Sequence, residues 1–365
     1  MRGHVFGLDL LRAIAIAMVL VSHASFFFLP LTHDLQAFEA WWMLGHFGVE
    51  LFFVLSGFLI GGILADQAQA GALDVRRFWL RRWLRTLPNY YLFLLINVLI
   101  ERWVSGTWPS AAAYLVFAQN LAWPVPMFYV ESWSLAIEEI FYFVAPLLIL
   151  AVTRVPFLRA VRPTALVLSG IALFTLVRIA YVAHYQPDWD EGIRKVALLR
   201  LDAIAYGVVA VLWFRSARPS LRTASRIALL GTLGLAFCIA AYLLLPRDQS
   251  FFARTFLFNL ISISFAAFLP FAALWQRSGW PGLLDLATRK LALWSYALYV
   301  CQLALLRVLV SGFGWKGDSF AGCSMQALAF VAMAIALAAL IYRVYERPLL
   351  RWRDVVAPKA AGNTA

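Results

Sequence analysis

VFGLDLLRAIAIAMVLVSHASFFFL, residues 5–29, decides the fold class: the run is apolar for longer than the roughly 20 helical residues a bilayer crossing needs, and its only ionisable groups are Asp9, Arg12 and His23. It is too long for a secretory leader, and its A-x-A steps (Ala13 to Ala15, Ala15 to Ala17) fall inside the apolar run instead of after it. Working outward, comparable runs recur near 45–65, 87–104, 134–153, 164–183, 196–214, 226–245, 255–275, 290–310 and 324–345. The 365-residue chain is 63% hydrophobic and 14% charged, with mean hydropathy +0.78, more than a water-soluble core of this size requires. The expected fold is all-α: a polytopic membrane protein of about ten transmembrane helices.

Each span reverses the chain, so the connections sort alternately to two sides. One side receives 21 basic residues: Arg2, the Arg76, Arg77, Arg81, Arg82 and Arg85 cluster, Arg154, Arg159, Arg162, Arg215, Arg218, Arg222, Arg226, Arg277, Arg289, Lys290, Arg343, Arg347, Arg351, Arg353 and Lys359. The other receives six (Arg102, Arg194, Lys195, Arg247, Arg254, Lys316), with acids such as Asp34, Glu39, Glu131, Asp188, Asp190 and Glu191. Basic residues accumulate on the cytoplasmic side, which puts both termini there. The net charge of +12 is largely this bias plus attraction to anionic membrane lipids, and nucleic acid is excluded as a partner. Cys238, Cys301 and Cys323 have neither metal nor redox spacing and read as small packing residues. No metal site is expected. Residues 1–350 read as one membrane domain and 351–365 as a cytoplasmic tail, with no soluble domain expected before or after. The connection 102–133, with Trp108-Pro109 and Trp123-Pro-Val-Pro126, favours irregular structure able to shape an outward-facing pocket.

Ionisable groups inside lipid are costly and mark function or pairing, which applies to Arg12, His23, Glu50, Glu138, Glu139, Arg178, Arg200, Asp202 and Arg307. Arg12 and His23 are eleven residues apart, within roughly 20° of one helix face and about 16 Å apart along it. A neutral imidazole there is suited to take a proton from an attacking alcohol; it is equally suited to interhelical hydrogen bonding. Ser134, Glu138 and Tyr142 recur every four residues as one polar stripe near the outer start of a span, in the leaflet of His23. Glu138 there can orient an imidazole or bind sugar hydroxyls, or simply answer the helix dipole. Glu50 is a second group able to hold His23, or else a partner of His46 one turn earlier. Ser56-Gly57 reads as a close helix-packing site, and external tryptophans as an interfacial belt. A transporter or lipid flippase, which also needs charges in a bundle, is the competing class, although no internal repeat is visible.

In order, Gly7-Leu-Asp-Leu-Leu-Arg12 with His23, Gly48-Val-Glu-Leu-Phe-Phe-Val-Leu-Ser-Gly-Phe58, Arg81-Arg82-Trp-Leu-Arg85-Thr-Leu-Pro88, Trp133-Ser-Leu-Ala-Ile-Glu138-Glu-Ile-Phe-Tyr142, Trp294-Ser-Tyr-Ala-Leu-Tyr-Val-Cys-Gln302 and Tyr345-Glu-Arg-Pro348 resemble acyltransferase family 3, membrane enzymes that O-acylate cell-surface sugars and related acceptors. The resemblance implies a multi-pass protein of a bacterial inner membrane that takes part in polysaccharide biosynthesis. The transfer it implies runs from cytoplasmic acyl-CoA, acetyl-CoA first, to a hydroxyl of an extracytoplasmic or lipid-linked carbohydrate. It implies that Arg12, Arg81, Arg82 and Arg85 bind coenzyme A phosphates, that His23 is the base or carries the acyl group, that Glu50 or Glu138 sets its tautomer, and that Ser134 and Tyr142 touch substrate. The family often has histidine where this chain has Gln302, so Gln302 is left outside the expected site.

Overall fold

The structure, a computed structural model, describes residues 5–32, 38–155, 160–277 and 279–358. Of the charges sorted above, Arg2, Asp34, Arg159 and Lys359 lie outside the described residues. Every regular element among those residues is helical. The main helices are α1 (Phe6–Ala24), α2 (Glu39–Gln69), α3 (Val75–Ser105), α4 (Ser132–Arg154), α5 (Pro163–Tyr185), α6 (Asp202–Ala217), α7 (Leu221–Leu244), α8 (Leu257–Ala266), α9 (Gly282–Arg307), α10 (Phe320–Ile341) and α11 (Arg347–Val356). Local chemistry sets their ends. Asp74, Ser220 and Ser319 cap α3, α7 and α10 by accepting from backbone N–H groups three residues on, and Gly106, at φ 76°, closes α3 in the left-handed conformation.

Eight described segments are long and apolar enough to cross a membrane. The remaining two of the ten expected are α3 and α6. Helix α6 has 16 residues, about 24 Å of helix, short of the ~30 Å hydrocarbon layer. Helix α3 has 31 residues but carries five arginines in its first three turns and Glu101 and Arg102 near its end. The 255–275 span is broken into Phe251–Thr255, α8 and Leu269–Leu274. The boundary expected at 350 falls within α11.

Helix α2 is the axis of the bundle: 78% of its most apolar window is buried, against 17% for α5 at the periphery. It packs on α1, α4, α6 and α8. Contact with α6 is backbone on backbone. A Cβ on Gly57 would lie 1.9 Å from the Ile204 carbonyl oxygen, and one on Gly207 2.0 Å from that of Val54. The small-residue reading of Gly57 therefore holds, since only bare Cα atoms permit this approach without hydrocarbon in between.

Gly57→Ala is expected to destabilise the protein by about 1–3 kcal/mol or to prevent assembly, because the obstacle is backbone. Gly61→Ala, whose new methyl would meet the Val208 methyls at 3.1 Å and its Cα at 3.3 Å instead of a carbonyl at 1.9 Å, should cost markedly less. Melting midpoints in lipid compare the two; equal losses would refute the backbone-contact account.

Candidate functional site

Two sizeable cavities among the described residues take in Arg12 and His23. The first, of 760 Å³, is bordered by His23 from α1, Trp42 and His46 from α2, Glu131 and Trp133 at the start of α4, the 189–195 connection, and Tyr299 and Arg307 from α9. The second, of 330 Å³, is bordered by Arg12 from α1, Phe52, Phe53 and Ser56 from α2, Arg82, Arg85 and Thr86 from α3, Ser134 and Glu138 from α4, and Tyr296 and Tyr299 from α9. We call them the histidine and arginine cavities. Arg12 and His23 thus serve different cavities from one helix, as the eleven-residue spacing suggests.

In the arginine cavity three guanidinium groups face a small number of acids. Arg12 Nη1 lies 3.4 Å from Asp9 Oδ1. Arg82 Nη2 donates to the Tyr142 hydroxyl at 2.5 Å, lies 3.7 Å from Glu138 Oε2, and its guanidinium stacks 3.9 Å over the Tyr142 ring. Among the described residues Arg85 makes no ion pair. Glu138 is fully engaged, accepting from Ser56 Oγ at 3.1 Å and from Tyr142 Oη at 2.8 Å. The stripe of Ser134, Glu138 and Tyr142 is therefore real, but it meets Arg82 instead of His23, because the charge on α3 offers Glu138 and Tyr142 the partners they need. Thr86 Oγ1 donates to Glu139 beside them at 2.7 Å.

Two expected members are elsewhere. Glu50 accepts from Arg200 Nη2 at 2.6 Å and from Ser262 Oγ at 3.3 Å, buried between α2, α6 and α8, and borders neither cavity. His46 turns to the Tyr242 hydroxyl, 2.6 Å from Nδ1, not to Glu50. Arg81 reaches out of the arginine cavity to Asp354 at 3.0 Å and to the Ala357 carbonyl, tying α3 to α11. Arg178 is likewise structural: both its Nη atoms bind the Asp202 carboxylate, at 3.1 and 2.8 Å.

His23 makes no hydrogen bond to a carboxylate, and its Nδ1 is buried without a partner. The side chain acting on it is Gln302, fully buried one turn after Tyr299 on α9. Sequence reasoning set Gln302 aside; the available signal was the i, i+3 spacing from Tyr299 within one motif. Glu131 was also missed. It borders the histidine cavity with Oε1 unpartnered, and burial pushes its carboxyl up to about 8. Across the cavity, Arg194 and Lys195 hold Asp190 well below the usual carboxylate range against the opposing effect of its burial. Trp42, Trp133 and Trp189 form part of the wall, so these three do more than belt the membrane. Among the described residues no three His, Cys, Asp or Glu side chains converge as a metal site would require.

The sequence profile described as "Acyltransferase domain" matches residues 5–343. The chain is 29% identical over 230 residues to a peptidoglycan O-acetyltransferase of Listeria monocytogenes, covering 56% of this chain and 34% of that protein. It is 29% identical over 326 residues to a putative peptidoglycan O-acetyltransferase of Bacillus subtilis, covering 80% and 48%. A putative O-acetyltransferase of Staphylococcus aureus is 26% identical over 228 residues, covering 57% and 34%. The matches thus span a third to a half of the relatives' lengths. No solved structure matches.

The Glu131 carboxyl stays protonated in the folded state well above its ordinary 4.5, whereas the unfolded chain ionises it freely, so its contribution should make stability fall as pH rises from about 4.5 towards about 8. Glu131→Gln should remove that decline, read as melting midpoint against pH for variant and wild type; parallel curves would refute it.

Proposed function

The chain belongs to acyltransferase family 3, and from that premise we propose that it is a membrane O-acyltransferase, moving acetyl from acetyl-CoA in the arginine cavity to a carbohydrate hydroxyl in the histidine cavity. The observation that carries the reading is the division of labour along α1: Arg12 borders a cationic chamber and His23 a larger aromatic one. Arg12, Arg82 and Arg85 hold the coenzyme A phosphates, which guanidinium forks match in charge and geometry. Glu138, on the wall of that cavity, keeps Arg82 and Tyr142 in register and touches no reacting atom.

His23 accepts the proton of the acceptor hydroxyl as that oxygen attacks the thioester carbonyl. Collapse of the tetrahedral adduct breaks the carbon–sulfur bond, and the imidazolium returns the proton to the departing thiolate, giving the ester and free coenzyme A. An alternative order, in which His23 carries the acyl group first, uses the same residues. Trp42, Trp133 and Trp189 suit a sugar acceptor by stacking, and the names of the relatives favour a cell-wall glycan such as peptidoglycan. With the basic connections facing the cytoplasm, the reading assigns the protein to a bacterial inner membrane, with donor and acceptor drawn from opposite sides.

The test is transfer of labelled acetyl from acetyl-CoA to a cell-wall glycan by the purified protein in lipid. His23→Ala should lower turnover about 10²–10⁴-fold. Arg85→Ala should raise the donor KM about tenfold with little change in kcat. Turnover by His23→Ala equal to wild type would sink the assignment.

A further inference from the structure

The two cavities share two wall residues, Val49 and Tyr299. Both are nearly buried, so where their side chains stand the partition is one side chain thick. The ring of Tyr299 is held on both sides. Its hydroxyl shares a 2.6 Å hydrogen bond with Ser134 Oγ in the arginine cavity and lies 3.2 Å from the carbonyl of Glu131 at the histidine cavity. Phe52 packs edge-on against it at 6.3 Å, and Phe53, on the arginine side, meets Trp133, on the histidine side, edge-on at 5.8 Å. Elsewhere this wall is closed by paired aromatics, whereas Val49 contributes a short aliphatic side chain to both cavities.

Resting on the donor and acceptor reading above, we infer that Val49 and Tyr299 form the passage through which the acyl thioester crosses from the arginine cavity to His23, and that its girth selects unbranched acyl groups. The phosphates stay with Arg12, whose Cα is about 16 Å from that of His23 along α1, so only the narrow end of the donor has to cross. The acyl group leads. A straight chain is no wider than the arm behind it, whereas a branch next to the carbonyl is, so the passage discriminates girth and not length. Opening requires Tyr299 to swing and to release its hydrogen bonds to Ser134 and Glu131, while Val49 sets the width of the gap that results.

The experiment uses the full chain in lipid vesicles with acetyl-, butyryl- and isobutyryl-CoA. Wild type should prefer butyryl over isobutyryl about tenfold or more, and Val49→Ala should erase most of that preference. Val49→Trp should lower transfer about a hundredfold while affinity for free coenzyme A, which occupies only the arginine cavity, stays within about threefold. Preserved branched-chain discrimination in Val49→Ala, or near-wild-type transfer by Val49→Trp, would overturn the inference. A second readout needs no donor. A membrane-impermeant thiol reagent added on the side of the histidine cavity should leave Ser56→Cys unlabelled but label it in the Ser56→Cys, Tyr299→Ala double variant, against a background set by three buried native cysteines. Equal labelling in both rejects the passage. Labelling as expected without acyl transfer keeps the passage but refutes its role for a thioester, and then the assignment of the donor falls instead.

Discussion

A charge in hydrocarbon must be paired or must face a cavity, and that constraint sorts this structure into scaffold and site. Arg178 is consumed by Asp202, Arg200 by Glu50, and Arg307 by Glu101 at 2.5 Å together with the Phe128 carbonyl at 2.7 Å. Other charges face the cavities. Arg12, Arg82 and Arg85 border one, with Glu138 the carboxylate on its wall, and His23 and Glu131 keep unpartnered atoms on the other. Buried polar groups are nearly always satisfied in folded proteins, so unpartnered atoms on a cavity wall, at His23 and Glu131, mark groups able to meet a ligand.

The paired charges do more than neutralise one another. Glu50 follows Val49 directly on α2, so its bond to Arg200 holds Val49 at its place between the two cavities. Eight residues on, Gly57 brings the same helix into backbone contact with α6. Removing one partner of a buried ion pair commonly costs about 3–5 kcal/mol because the other charge is stranded. A Glu50 variant without activity therefore speaks of a misplaced α2 and carries no information about proton transfer. The same caution applies to Glu138, whose loss frees Arg82 and Tyr142 together.

Periodicity and charge asymmetry made the bundle legible, and the spacing of Arg12 and His23 made its polar seam legible, because both are properties of a single helix. Contacts between distant segments were not. Glu50 and Glu138 are equivalent as intramembrane acids in sequence, and only the fold sends one to Arg200, 150 residues away, and the other to Arg82. Arg81 and Arg85 share a helix face by spacing, yet Asp354 draws Arg81 outward. Gln302 and Tyr299 sat in a recognised segment without a recognised task, since an amide and a phenol look like packing until their neighbours are known. Helix α6 read as a full span because composition does not report that the helix begins only at Asp202, after a short 3-10 turn at Ala197–Leu199.

A membrane protein with chambers bordered by charge meets a second requirement, which is to remain sealed. Joining the two cavities would open a polar route across the hydrocarbon, lined by arginines at one end and by Glu131 and Asp190 at the other. A partition one side chain thick is the thinnest barrier that prevents this while leaving reacting groups in neighbouring chambers within reach of each other. With the donor placed as proposed above, the same barrier would keep water from the second chamber away from its thioester, which favours transfer over hydrolysis. Every residue bordering either cavity lies between positions 12 and 316, inside the matched span of 5–343, so the apparatus is built wholly from the part this chain shares with its family.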